Sequence, residues 1–167
     1  MIKGITIIIL SFLPILQQEP FMEQVREYYD QAPQSREATE NLISLVEDHV
    51  DTSAVLLAYQ ASATMMMANH VGSPFKKISY FRKGKRMLEQ AVERNPSNVE
   101  VRFLRFAAQS EIPGFLGYKD NLEEDKQLIL TSVAGLQDRQ LKELIMTYLM
   151  QADYLSQDEK EQLKLEP

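Results

Sequence analysis

The sequence predicts an all-α fold of stacked antiparallel helix hairpins, about seven helices following an N-terminal signal segment, and three observations predict it. Turn formers are sparse, with 6 Gly and 7 Pro in 167 residues, whereas an all-β chain needs a turn signal about every 8 to 12 residues. Between them run long stretches of Leu, Glu, Lys, Gln, Ala and Met, side chains that lose little freedom on entering a helix. Helix-start signals also recur at helix-length intervals, each a polar side chain placed to satisfy free backbone N–H groups. With 44% hydrophobic and 25% charged residues, the chain has the composition of a soluble globule and is long enough for one packed core.

At the N-terminus, Lys3 precedes an apolar run from Ile5 to Leu16. One positive charge ahead of a run shorter than the roughly 20 residues a membrane span needs has the shape of a secretory signal peptide. Gln17, Gln18, Glu19 and Pro20 supply no small-x-small cleavage site. Three readings therefore stay open: export to the periplasm or outside the cell, an uncleaved N-terminal membrane anchor, and a buried N-terminal segment of a cytosolic protein. Residues 1–18 are assigned to this segment and 19–167 to a single helical domain.

Along that domain the caps set the boundaries. Ser97-x-x-Glu100, Asp120-x-x-Glu123 and Ser156-x-x-Glu159 read as capping boxes. Ser73 before Pro74 reads as an N-cap with proline at the first helical position, and Ser35 after Pro33 as a weaker start. Helices are expected near 20–31, 36–49, 53–70, 74–94, 98–110, 121–134, 138–152 and 156–164. The connections are short except for 110–120, so neighbouring helices turn back on one another. Ala54 to Ala68 is apolar nearly all round, with Ala58, Ala61 and Ala63 small and Met65, Met66 and Met67 adaptable, which places this helix at the centre.

An offset of 46 residues pairs Arg36 with Arg82, Leu42 with Leu88, Val46 with Val92, Glu47 with Glu93, Val55 with Val101 and Ala61 with Ala107, and it aligns helix with helix. Gly84, Leu88, Ala91 and Pro96 sit at the spacing of the small, large, alanine and proline positions in the second helix of a tetratricopeptide repeat, and Asn98 to Phe106 resembles the start of the next repeat. The resemblance covers about a fifth of the chain. The aromatic, Leu-Gly and Tyr positions of that family's first helix are missing, and the offset is longer than its period of about 34 residues, so the likeness is to a divergent hairpin array. It implies a tetratricopeptide-like α-α superhelix that binds a peptide.

Composition also excludes chemistry. The absence of cysteine removes disulfides, thiol catalysis, thiolate metal sites and a lipobox anchor. A net charge of -6 argues against a general nucleic-acid binder. Phosphate loops, His-Glu-x-x-His and nucleophile-elbow motifs are absent, so no catalytic residue, metal site or cofactor is assigned. His49 and His70 fall at helix ends, where an imidazole bonds the last free carbonyls. Glu123, Glu124 and Asp125 fit the first turn of a helix, where negative charge complements the dipole.

Three features remain as candidate sites. Lys76, Lys77, Arg82, Lys83, Lys85 and Arg86 are six basic residues without an intervening acid. On a helical projection Ile78, Tyr80, Phe81, Gly84, Met87, Leu88, Ala91 and Val92 point inward, leaving a solvated basic face on which Lys76, Lys83 and Arg86 would contact an anionic surface. Arg102, Arg105 and Gln109 form a polar stripe on a nearly buried helix, there either to pair with acids such as Glu123 or to present donors to a ligand carboxylate. The 110–120 connection is unusually apolar, and Phe115 and Tyr118 either plug a gap between hairpins or meet a partner. The leading functional expectation is a non-enzymatic module that binds a protein or peptide. The alternatives are an exported enzyme with a carboxylate and arginine site, and a membrane-surface protein using helix 74–94.

Overall fold

A computed structural model describes residues 18–165. Of the expected signal or anchor segment, 1–18, residues 1–17 lie outside the described residues, and Gln18 is the first residue of α1. Within them the chain is entirely helical, with no strand. Its eight α-helices are α1 (Gln18–Gln31), α2 (Arg36–Val46), α3 (Ala54–Met66), α4 (Pro74–Arg94), α5 (Val99–Glu111), α6 (Leu122–Ser132), α7 (Arg139–Gln151) and α8 (Gln157–Leu165). They correspond one for one to the eight helices expected from 20–31 to 156–164, one more than the round count of seven.

Local capping chemistry fixes most of the starts. Ser35 accepts from the Ala38 amide at 3.1 Å, Ser53 from Leu56 at 3.3 Å and Ser73 from Lys76 at 3.5 Å. The Ser156 box closes in both directions, Ser156 N–H donating to Glu159 at 2.7 Å and Glu159 N–H to Ser156 Oγ at 3.2 Å. Two expected boxes do not form. Asn98, one residue after Ser97, caps α5 by accepting from Val101 at 2.9 Å, which frees Glu100 to turn into the core. Helix α6 starts after Asn121 without a side-chain cap, and Glu123 bonds Gln127 and Lys126 instead of Asp120. Three helix ends tighten into 3-10 turns, at Glu47–His49, Met67–His70 and Val133–Gly135, which lets the last carbonyls bond before the chain turns away.

Consecutive helices from α1 to α4 pack side by side, as do α5 with α6 and α7 with α8. Helix α3 touches α1, α2, α4 and α5, and α5 touches α3, α4, α6 and α7, so the two lie together at the centre. On α3, Leu56 to Tyr59 and Ala61 to Thr64 are buried, as the apolar sequence anticipates. Its closest neighbour is α4, and the crossing point is Gly84. A Cβ there would lie 2.4 Å from Met65 Cγ and 2.6 Å from the Ala61 carbonyl oxygen, so only glycine lets the two backbones approach this closely. Leu88, Ala91 and Val92 continue the contact face, while residues 74–79 of α4 are all exposed.

Candidate functional site

Helix α5 buries four polar residues, Glu100, Arg102, Arg105 and Gln109, and their partners decide what they can do. Arg105 forks onto Asp125 of α6, Nε to Oδ2 at 2.7 Å and Nη2 to Oδ1 at 2.8 Å, and its Nη1 reaches Glu89 of α4 at 3.0 Å. Arg102 pairs with Asp125 and Glu124 and donates to the Pro96 carbonyl at 3.1 Å. Burial opposes the charge on Arg105, but the bonds and field of Asp125 and Glu89 outweigh it, and the guanidinium is held more firmly protonated than usual. Asp125 is 0% exposed between two arginines. It is a structural counter-ion and not the solvated first-turn acid its sequence position suggests. The partners are thus Glu124 and Asp125 rather than Glu123. The donors of Arg105 and both terminal nitrogens of Arg102 are already hydrogen-bonded inside the fold, and Arg102 Nε is ion-paired with Asp125 without a hydrogen bond to it. Gln109, fully buried, has no hydrogen-bond partner for either amide atom among the described residues.

A second buried cluster, built on Arg26, went unread in the sequence. Arg26 donates from Nε and Nη2 to the two oxygens of Glu100 at 2.9 and 3.2 Å and from Nη1 to Gln140 at 2.9 Å, and it pairs with Asp138 at 2.8 Å. The Tyr59 hydroxyl donates to the same Glu100 at 2.6 Å, and burial first, then Glu100, pushes the phenol well above its ordinary range. These bonds join α1, α3, α5 and the start of α7. The only local signal for them was an acid at the third residue of a helix whose cap was misplaced by one position.

The histidines take structural roles. His70 donates from Nε2 to the Ala32 carbonyl at 2.8 Å, satisfying the chain just past the end of α1. His49 meets the Phe21 ring edge-on at 5.3 Å. No group of three or more His, Asp or Glu residues is placed to hold a metal ion among the described residues.

The apolar 110–120 connection divides its aromatics. Tyr118 is 2% exposed and donates from its hydroxyl to Glu89 at 2.5 Å, with Phe81 edge-on at 6.2 Å and the Lys85 ammonium 4.5 Å over its ring. Lys85 also donates to the Gly117 carbonyl at 3.5 Å. Gly117 takes the left-handed conformation at φ 60° that closes the turn. Between these anchors a 3-10 turn, Gly114–Leu116, holds Phe115 out with 87% of its surface in water. Tyr118 thus folds back into the interior, while Phe115 stands exposed.

The outer face of α4 is the other exposed feature. Phe75 is 87% and Ile78 43% exposed, and with Ser79, Arg82, Lys83 and Arg86 they line an open depression of about 570 Å³. Ile78, expected to point inward, lies outward because the first six residues of α4, 74–79, are all exposed. Lys76, Lys77, Arg82, Lys83 and Arg86 make no ion pair among the described residues, whereas Arg26, Arg36, Arg102, Arg105, Lys126 and Arg139 each have an acidic partner. A further hollow, lined by Val133, Ala134, Lys142, Met146 and Leu163, measures about 10 Å³, barely room for one water. No helix among the described residues is long and apolar enough to cross a membrane.

Compared with known proteins, the chain matches no family model, no curated protein and no solved structure.

Proposed function

We propose that this chain is a non-enzymatic interaction module: an exported, tetratricopeptide-like stack of helix hairpins that docks a protein or peptide partner on the Phe115 turn. The observation that carries the reading is Phe115 itself, 87% exposed at the tip of a turn whose base is pinned by Tyr118, Glu89, Lys85 and Gly117. Leaving a large aromatic in water forgoes about 1.5–3 kcal/mol of burial, and a turn already held in place gives up little conformational freedom when a partner covers it. Large, rigidly presented aromatics of this kind anchor protein interfaces. The engagement of Arg102 and Arg105 within the fold also supports a surface over a reaction centre.

Phe115→Ala is the clean probe, since Tyr118 holds the turn and its removal would disturb folding as well. With helix content unchanged by circular dichroism, affinity capture with the Phe115→Ala protein should lose a partner that wild type and an exposed control variant, Glu161→Ala, both retain. A photo-crosslinking side chain at position 115, but not at 161, should label that partner. Equal recovery by all three proteins would refute the reading.

A further inference from the structure

We propose that the exposed N-terminal half of α4 is a docking face for an anionic phospholipid surface, with Phe75 and Ile78 entering the acyl boundary and Lys76, Lys77, Arg82, Lys83 and Arg86 meeting the phosphates. The inference is independent of the Phe115 turn and concerns a different surface. In a chain of net charge -6, residues 74–88 carry six cations and no acid. One of the six, Lys85, turns toward Tyr118 and Gly117. The other five make no ion pair among the described residues, although the chain has 24 acidic residues to offer. A cluster of four to eight cations near a membrane surface is the size that anionic lipids retain, and screening over roughly 8 Å hides the acids on the far side of the molecule.

The apolar pair selects the occupant. Phe75 and Ile78 lie three residues apart and so share one face of the helix, projecting from residues 74–79, which no other helix among the described residues covers. A face that is apolar along a narrow stripe and flanked by Lys and Arg is the pattern of helices that lie in the headgroup layer. A nucleic acid would gain from Phe75 as a stacking platform but nothing from an aliphatic Ile78, and stripping condensed counterions does not require buried apolar groups. An acidic peptide would need a walled groove, and the depression beside these residues is open. Hydrocarbon accepts both side chains.

The test uses the full chain, so any contribution of the Ile5 to Leu16 run is common to every variant. Vesicles of phosphatidylcholine with and without phosphatidylglycerol are titrated and binding is read by co-sedimentation. Anionic vesicles should bind the wild type more tightly than neutral ones, and added salt should weaken the difference. At about fivefold per cation near the surface, Lys76→Gln with Lys83→Gln and Arg86→Gln should lower anionic-vesicle binding roughly a hundredfold. The chain has no tryptophan, so Phe75→Trp provides a single indole, excited selectively over the tyrosines, whose spectrum should shift to the blue on anionic vesicles, while Phe115→Trp should not shift. The proposal fails if anionic and neutral vesicles bind alike, if the triple variant binds as wild type does, or if Phe75→Trp stays water-exposed while the protein is bound. It also fails if an oligonucleotide or an acidic peptide is retained in place of the vesicles.

Discussion

Seven tyrosines punctuate the chain, and four of them carry the hydroxyl into the interior. Burial is the largest influence on Tyr29, Tyr59, Tyr118 and Tyr148 and pushes each phenol above its ordinary range, helped at Tyr59 by Glu100 and at Tyr118 by Glu89. Tyrosine ionises near pH ~10 in the unfolded chain, so above that pH the folded state holds protons that the unfolded state has released. The stability these groups contribute is complete below pH ~10 and is lost as pH climbs toward their folded values, by ~1.4 kcal/mol per pH unit for each tyrosine fully converted. Followed together through an alkaline titration, helix loss by circular dichroism should therefore coincide with the tyrosinate absorbance that these four contribute. Ionisation of all seven at ordinary pH with the helices intact would contradict the burial described. The apolar run from Ala54 to Ala68 made the burial of Tyr59 legible, but not the bonds: Glu100 and Glu89 lie 41 and 29 residues from the phenols of Tyr59 and Tyr118.

Helices were the most legible level, since a cap is a short-range event. Ser35, Ser73 and Ser156 act where the sequence places them, and α4 runs over the expected 74–94. What local pattern could not supply was the rotation of α6 about its axis. Glu123, Glu124 and Asp125 are consecutive, and only the packing of α6 on α5 decides that Asp125 faces the arginines while Glu123 faces water. Ile78 failed for a related reason, because a helical projection assumes neighbours along the whole length of the helix. Gly84 illustrates the reverse, a small residue whose meaning appears only at a crossing. Alanine there would gain about 1 kcal/mol of helix propensity. It would also press against the Ala61 carbonyl, which cannot swing aside as the Met65 side chain can, at a cost of ~1–3 kcal/mol. The second effect should win: Gly84→Ala is expected to lower the urea midpoint without changing the slope. A higher midpoint would mean that α3 and α4 do not meet there.

Across the whole molecule, charge is divided between two duties. Inside, Arg26, Arg102 and Arg105 join α1, α4, α5, α6 and the start of α7 through Glu100, Glu89, Asp125 and Asp138. Outside, Lys76, Lys77, Arg82, Lys83 and Arg86 stand on the same exposed part of α4 as Phe75 and Ile78 and make no ion pair among the described residues. Composition showed a basic segment on an acidic chain and two arginines on a buried helix, but it could not say which set of charges the fold consumes. Denaturant unfolding of two variants separates the duties most directly. Asp125→Ala leaves two buried guanidiniums facing each other and should cost about 3–5 kcal/mol. The combined variant Phe75→Ser, Lys76→Gln, Lys83→Gln and Arg86→Gln should stay within about 0.5 kcal/mol of wild type. If the outer-face variant loses as much stability as Asp125→Ala, or Asp125→Ala loses none, the division between structural interior and working surface is wrong.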